Sequence, residues 1–430
     1  MSYKLSLPTA IIINLNIMLS TGIFLNSIPL AQYAGGLSTL PYIIVGILLI
    51  PLIISMALLL HHHEAGNFYD IGAKEIKPIF GFLSTWIYFF AKPASAALMV
   101  HFFSFLICEL FPTLKCISLF TLDTTVIILF ILLNLLNMKI GRSIQISFIL
   151  IKIIPLLFII ISGIWFLQPC NFAPINLRLD GIPPGLPLAL FAFSGFEATL
   201  SISRHIKNPK RNAPRAIMFS YLIALSVYIL YQLGYYAAIN ITSLTNVESF
   251  RAIAHFIVSI CQHTHKHLQG LLYMCMGISA LGGAYSVLFS NKWNLYTLAS
   301  HKHTFFHSQL LKKNKAGIAY WCLLIESLII FLYIIGTNAN QIILQQISAF
   351  GCTLSYTISI LAFVALSLLK TKKLWMKILG IFALINCLIF ITSCINGFIN
   401  NELIALYAFG GMVAFGIVMY MITQKQAGLE

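Results

Sequence analysis

The sequence predicts an all-α integral membrane protein of twelve transmembrane helices. Three observations carry that reading. The 430 residues are 59% hydrophobic and only 9% charged, where an ordinary soluble domain carries roughly 25% charged residues. The mean hydropathy of +0.92 extends over the whole chain, and twelve spans of about 20 residues would use about 240 positions. Lysine and arginine, finally, gather in alternate polar breaks. A soluble enzyme is excluded.

In chain order the apolar runs place spans at 8–33, 39–60, 80–108, 121–138, 143–167, 185–205, 215–238, 269–290, 317–336, 342–368, 374–397 and 402–423. An even number puts both ends on one side. With that side cytoplasmic, the inside segments hold 20 basic residues, among them Lys4, Arg204, Lys207, Arg211, Lys292, Lys313, Lys372 and Lys425. The outside segments hold four: Lys115, Arg178, Arg251 and Lys266. The positive-inside rule supports this orientation, a multi-pass protein of the cytoplasmic (inner) membrane with both termini cytoplasmic. The net charge of +15 is therefore topology, and no nucleic-acid partner is expected. Nine cysteines at irregular spacing form no disulfide framework. The amino-terminal apolar stretch ends in no small-residue cleavage site and reads as a first span. The segment 239–268 is expected to carry a short helix over the outer face.

Spans one and six carry polar interruptions. Ser20, Thr21 and Gly22 break the first, and Ser194 and Gly195 break the sixth. Such residues let a helix unwind at mid-bilayer, leaving bare amides and carbonyls there. Half-helix amino termini attract a carboxylate and free carbonyls attract an ammonium, so paired breaks suit a zwitterion. Small residues for close helix packing are the competing explanation.

The run Gly195-Phe196-Glu197-Ala198-Thr199, followed by Lys207-Asn208-Pro209-Lys210-Arg211-Asn212-Ala213-Pro214-Arg215-Ala216, resembles the sixth-span signature of the amino acid–polyamine–organocation permeases. Thr21-Gly22-Ile23-Phe24 with Ala34-Gly35-Gly36 resembles that superfamily's first-span motif, and Asn314-Lys315-Ala316-Gly317 the stretch before its ninth span. The resemblance covers nearly the whole chain and is closest to the bacterial amino-acid antiporters and permeases. It implies a 5+5 inverted-repeat core of the leucine-transporter type, with broken helices one and six. The repeats would fall near 8–167 and 185–368 within one domain, and 374–423 would form accessory helices. Two departures stand out: Ser20 occupies a place where relatives commonly carry glycine, and the basic residue near the inner end of span eight is replaced within Ser290–Asn294.

Intramembrane charges cost about 2.5–3.5 kcal/mol each, so every one calls for a partner or a purpose. Lys152 lies deep in span five and resembles the fifth-span lysine of proton-coupled members of the superfamily. A lysine held out of water can exchange a proton within a transport cycle; it can equally serve as a structural cation on carbonyls of spans one and eight. Glu197, just after the second break, is a proton-sensing candidate or a cap on local amides. Lys92 shares a helical face with Tyr88 and Ala96, which the resemblance places in the site. It would pair with Glu197, meet an anionic substrate group, or snorkel from a shifted span boundary. Glu326, central in span nine, is assigned a structural or interface role. Phe191 stands where the superfamily often carries an aromatic gate, with Ser194 positioned to bond a polar substrate group.

The histidines at 61–63 and 263, 265 and 267 lack a closed ligand set and read as solvated loop positions, with no metal site. Asn240-Ile241-Thr242 fits a glycosylation sequon, relevant only in a eukaryotic secretory setting. There is no Walker loop and no HExxH pair. The expected function is secondary transport of an amino acid or related amine, proton-coupled, with substrate exchange as the alternative; a channel or a non-transporting nutrient sensor on the same scaffold also stays open. The expected partners are the substrate, protons, the bilayer and, unresolved, a second copy of the chain. No enzyme activity and no cofactor are expected.

Overall fold

The computed structural model of the chain describes residues 4–261, 265–370 and 373–427; His263 and Lys372 lie outside them. Among the described residues all regular structure is helical apart from two isolated β-bridges. Among the described residues ten helices are long and apolar enough to cross a membrane. Two of the twelve expected spans fall short: Leu119–Asn134 has 16 residues and Tyr320–Gly336 has 17. At 1.5 Å per residue these reach about 24 and 26 Å, against a hydrocarbon core of about 30 Å. The short helix expected after residue 239 is Ala252–Cys261.

Helix starts follow the sequence's polar punctuation. Ser118, Asn137 and Asn340 each accept a bond from the backbone N–H three residues on, and so satisfy an amide that the first turn leaves free. Proline opens the helices at Pro78 and Pro209, where its missing N–H costs nothing.

The broken helices lie at the centre. Within the Ile182–His205 segment 94% of an 18-residue apolar stretch is buried, against 17% of such a stretch in Leu403–Lys425 at the periphery. The amino terminus closes one end of the bundle: Leu5 N donates to His205 O at 2.8 Å and Lys207 N to Leu5 O at 2.9 Å. There Arg204 Nη2 also binds Asp70 Oδ2 at 2.8 Å. At the opposite end Gln32 donates to the carbonyls of Leu244 and Val247.

Several boundaries differ from expectation by a few residues, and one by ten. The helix Lys266–Ser300 continues ten residues past the predicted end of span eight at 290, so Lys292 is a fully buried helical residue and not part of an inside loop. Polar Asn291, Lys292 and Asn294 imitate a span end in the sequence. In the fold they are buried polar contacts: Asn291 Nδ2 donates to Phe89 O at 3.0 Å and Asn294 Nδ2 to Ser201 Oγ at 2.8 Å.

Candidate functional site

Span one is helical over Leu7–Met18, opens at Leu19 and Ser20, and resumes at Thr21–Leu25. Span six is helical over Ile182–Phe193, opens through Ser194–Glu197, and resumes at Ala198–Ile202. Each break thus follows a half-helix of 12 residues. The two openings face one another. Gly195 adopts φ +149°, where side chains are rare, and a Cβ there would lie 2.8 Å from Met18 Cγ and 2.9 Å from Ile17 Cγ2. Gly22 in turn packs on Ala192 and the Phe191 ring.

Unwinding leaves carbonyls without helical partners, and neighbouring helices supply donors. Lys152 Nζ donates to Asn16 O at 2.7 Å, and Ser279 Oγ to Leu19 O at 3.3 Å. The Tyr228 hydroxyl lies 2.7 Å from both Met18 O and Ala192 O, one on each broken helix. Ser194 Oγ bonds back to Phe191 O at 2.8 Å. Around Lys152 a polar chain continues: Asn16 Nδ2 donates to Gln145 Oε1 at 2.6 Å, and Ser286 Oγ donates to the same oxygen at 2.6 Å. Lys152 therefore ties span five to span one, while span eight touches span one through Ser279.

A charge cluster closes the other side. Lys92 and Glu197 are fully buried and paired, Nζ to Oε1 at 3.0 Å. Lys92 Nζ also donates to Ser194 Oγ at 3.2 Å. The Tyr88 hydroxyl donates to Glu197 Oε1 at 3.0 Å, and Gly195 N to Glu197 Oε2 at 2.7 Å. Lys92 sits mid-helix in Pro78–Leu110 and does not snorkel. Glu197 both caps the break and balances a cation, so the charges and the local backbone are held by one carboxylate. A buried pair of this kind is weak evidence for stability but is strongly disrupted when one partner goes.

The remaining predicted residues are placed as follows. Ser20 Oγ and Thr21 Oγ1 are buried with no hydrogen-bond partner. Ser20 is accommodated because Gly283 of span eight lacks the Cβ that would strike it. Phe191 is buried beside Gly22, and Ala96 is buried one turn beyond Lys92. Tyr228, Gln145, Ser279 and Ser286 were not singled out in the sequence. A hydroxyl or amide at mid-span was the available signal. Among the histidines, His61 and His62 are exposed, but His63 Nε2 lies 2.8 Å from Glu75 Oε1. Ligand atoms of His62, His63 and Glu75 fall within 4.8 Å of one another. Lys370 already binds Glu75 Oε2 at 2.9 Å, which places an ammonium where a metal ion would need free carboxylate charge.

The family model described as amino acid permease matches residues 5–422. The chain belongs to the amino acid permease family. Among curated relatives of this permease, the D-serine/D-alanine/glycine transporter of Escherichia coli O6:H1 is 26% identical over 237 residues, 49% of this chain and 50% of the relative. The b(0,+)-type amino acid transporter 1 of Mus musculus is 24% identical over 316 residues, 70% of this chain and 63% of the relative. Branched-chain amino acid permease BcaP of Bacillus subtilis is 30% identical over 114 residues, 26% of this chain and 24% of the relative. Each match spans less than two thirds of the relative's own length. This permease is a multi-pass membrane protein, and its family is the one that the span-six motif resembles.

Proposed function

We propose that this permease moves an amino acid or related amine across the cytoplasmic membrane by alternating access, coupled to protons. The first ten of its twelve spans, with Leu119–Asn134 and Tyr320–Gly336 included, would form the two inverted repeats at 8–167 and 185–368, which rock about the breaks while 374–423 stands outside. The observation that carries this reading is the face-to-face pair of breaks, with the unpartnered hydroxyls of Ser20 and Thr21 beside them.

In this reading the substrate carboxylate sits on amides near Ser20, Thr21 and Gly22. Its ammonium meets carbonyls between Phe191 and Ser194. Phe191 O already accepts from both Ser194 N and Ser194 Oγ, whereas Ala192 O accepts from the Tyr228 hydroxyl and has a second lone pair to offer. Phe191 closes over the substrate, and Ser194, held by Lys92, contributes a polar contact. Tyr88 and Ala96 line the span-three wall. A cavity of about 840 Å³ lined by Pro29, Gln32, Pro187, Leu188 and Gln346 adjoins the halves of spans one and six on one side of the breaks and suits an approach route. Lys152 and Glu197 are the proton-coupling groups.

The experiment is uptake of single amino acids and polyamines into proteoliposomes, with and without a pH gradient and with internal substrate. Saturable, stereoselective uptake driven by the gradient supports the reading. Flux without saturation identifies a channel, and binding without flux a sensor. A second reading, exchange without protons, is favoured by the Lys152–Asn16 bond, which equally suits a permanently charged structural cation. Uptake that needs internal substrate and ignores the gradient selects it.

A further inference from the structure

Glu326 is fully buried in the Tyr320–Gly336 helix, and neither of its oxygens receives a hydrogen bond of standard geometry. Lys292 and Asn291 of the Lys266–Ser300 helix face it, and the side-chain bonds of standard geometry that they make go elsewhere. Lys292 Nζ, also fully buried, donates to Leu288 O at 2.9 Å and Asn134 Oδ1 at 3.2 Å, and lies 5.0 Å from the centre of the Phe289 ring. Asn291 Nδ2 donates one hydrogen to Phe89 O and keeps a second beside the carboxyl. A carboxylate anion stripped of water and given no donor is costly, whereas the uncharged acid suits such a site. An ammonium stands nearby, already supplied with acceptors and not paired. This is the arrangement expected of a carboxyl that carries a proton in one conformation and an ion pair in another.

We propose that Glu326 is a proton-binding site, separate from the Lys92–Glu197 pair, with Lys292 as the counter-charge it meets when the proton leaves. Loading forms one O–H bond on a Glu326 oxygen and neutralises the carboxyl. Unloading breaks that bond and releases the proton, and the carboxylate turns to the ammonium in exchange for the Leu288 carbonyl. Around Glu326 the charged and titratable groups are Lys292 from span eight, Cys322 one turn earlier on its own helix, and Tyr88 of span three. Asn134, which holds Lys292, is the last residue of the Leu119–Asn134 helix, so the site lies close to that end of the bundle.

The same span eight reaches the breaks. Ser279 donates to Leu19 O, and Ser286 joins the Gln145–Asn16 chain. Ser286 and Lys292 are six residues apart, about 9 Å along the helix. A shift of span eight that brings Lys292 onto Glu326 therefore moves the donors that steady span one. A role in transport rests on the function proposed above; proton binding itself does not.

The test uses full-length protein without substrate. Infrared difference spectra across a pH titration are expected to show a carboxylic C=O band that disappears on deprotonation. Glu326→Gln removes that band, and Lys292→Gln shifts its midpoint by about one pH unit or more. Should Glu326→Gln not fold, Glu326→Asp must displace the band. A band retained in Glu326→Gln, unmoved in Glu326→Asp, or absent from the parent protein at every pH overturns the proposal. In proteoliposomes, loss of gradient-driven uptake with counterflow retained in Glu326→Gln ties the site to coupling. Failure of the parent protein to transport any amino acid overturns the proposed function and leaves the infrared result standing.

Discussion

Lys152 Nζ donates to the Asn16 carbonyl at 2.7 Å, a bond from span five onto the last turn of the first half-helix of span one. The helical partner of that carbonyl would be the amide of Ser20, which the break removes from the helix. Lys152 therefore stands in for a missing rung of the ladder. Lys152→Ala is expected to abolish gradient-driven uptake and to lower stability by about 1–3 kcal/mol, the cost of an orphaned buried acceptor. Uptake with and without a pH gradient, together with thermal unfolding in detergent, checks both. Unchanged proton-driven uptake would remove Lys152 from the coupling role.

Glu197→Gln keeps the shape of the side chain but leaves the Lys92 ammonium unbalanced in a dry site. The expected loss is about 3–5 kcal/mol, as for other buried pairs broken from one side. Lys92→Met combined with Glu197→Gln is expected to regain much of it, because the orphan charge is gone. Melting temperatures for the two single variants and the double variant form the cycle that measures the coupling.

Gly195→Ala meets two obstacles, a φ of +149° and a Cβ 2.8 Å from Met18 Cγ. Strain of this kind costs about 1–3 kcal/mol. Closure of the breaks is also expected to fail, so that uptake falls further than stability does. A variant as active as the parent would show that the breaks need not approach this closely.

Phe191→Ala removes the ring over Gly22. If the ring closes over substrate, KM rises several-fold while the fold persists, since the ring faces the break. Substrate concentration series in proteoliposomes decide it, and an unchanged KM would return Phe191 to simple packing.

Burial pushes His303 down to about 4, with His301 adding to the effect. Its ring bonds the Tyr69 hydroxyl at 2.7 Å and Gln424 Nε2 at 3.0 Å. The folded protein therefore keeps this imidazole neutral where the unfolded chain would already take a proton. Stability is full above about pH 6.5 and declines as the pH falls towards 4. His303→Gln should flatten that part of a melting-temperature profile.

Hydropathy made the helices legible, because lipid solvation demands long apolar runs. The insertion cost of charge singles out Lys92, Lys152 and Glu197 from the sequence alone. Partners were another matter. Nothing local in the sequence shows that Lys92 meets Glu197 in particular, since the pairing depends on how spans three and six cross. Tyr228 is an ordinary aromatic in an apolar run until its hydroxyl is found between two carbonyls. Lys292 misled for a physical reason: a polar cluster after an apolar run resembles a helix end, unless neighbouring helices supply acceptors, as Asn134 does here.

Tyr228 has one hydrogen to give and two carbonyls at equal distance, Met18 on one broken helix and Ala192 on the other. Only one can hold it at a time. The junction is therefore nearly degenerate: were the two helices to part as proposed, the hydrogen would stay with whichever oxygen remained in reach, and only a hydroxyl rotation separates the alternatives. In the proposed alternating-access cycle such a junction would lower the barrier to crossing without favouring either end state. Replacing the ring by phenylalanine would consequently register in turnover rate before it registered in affinity.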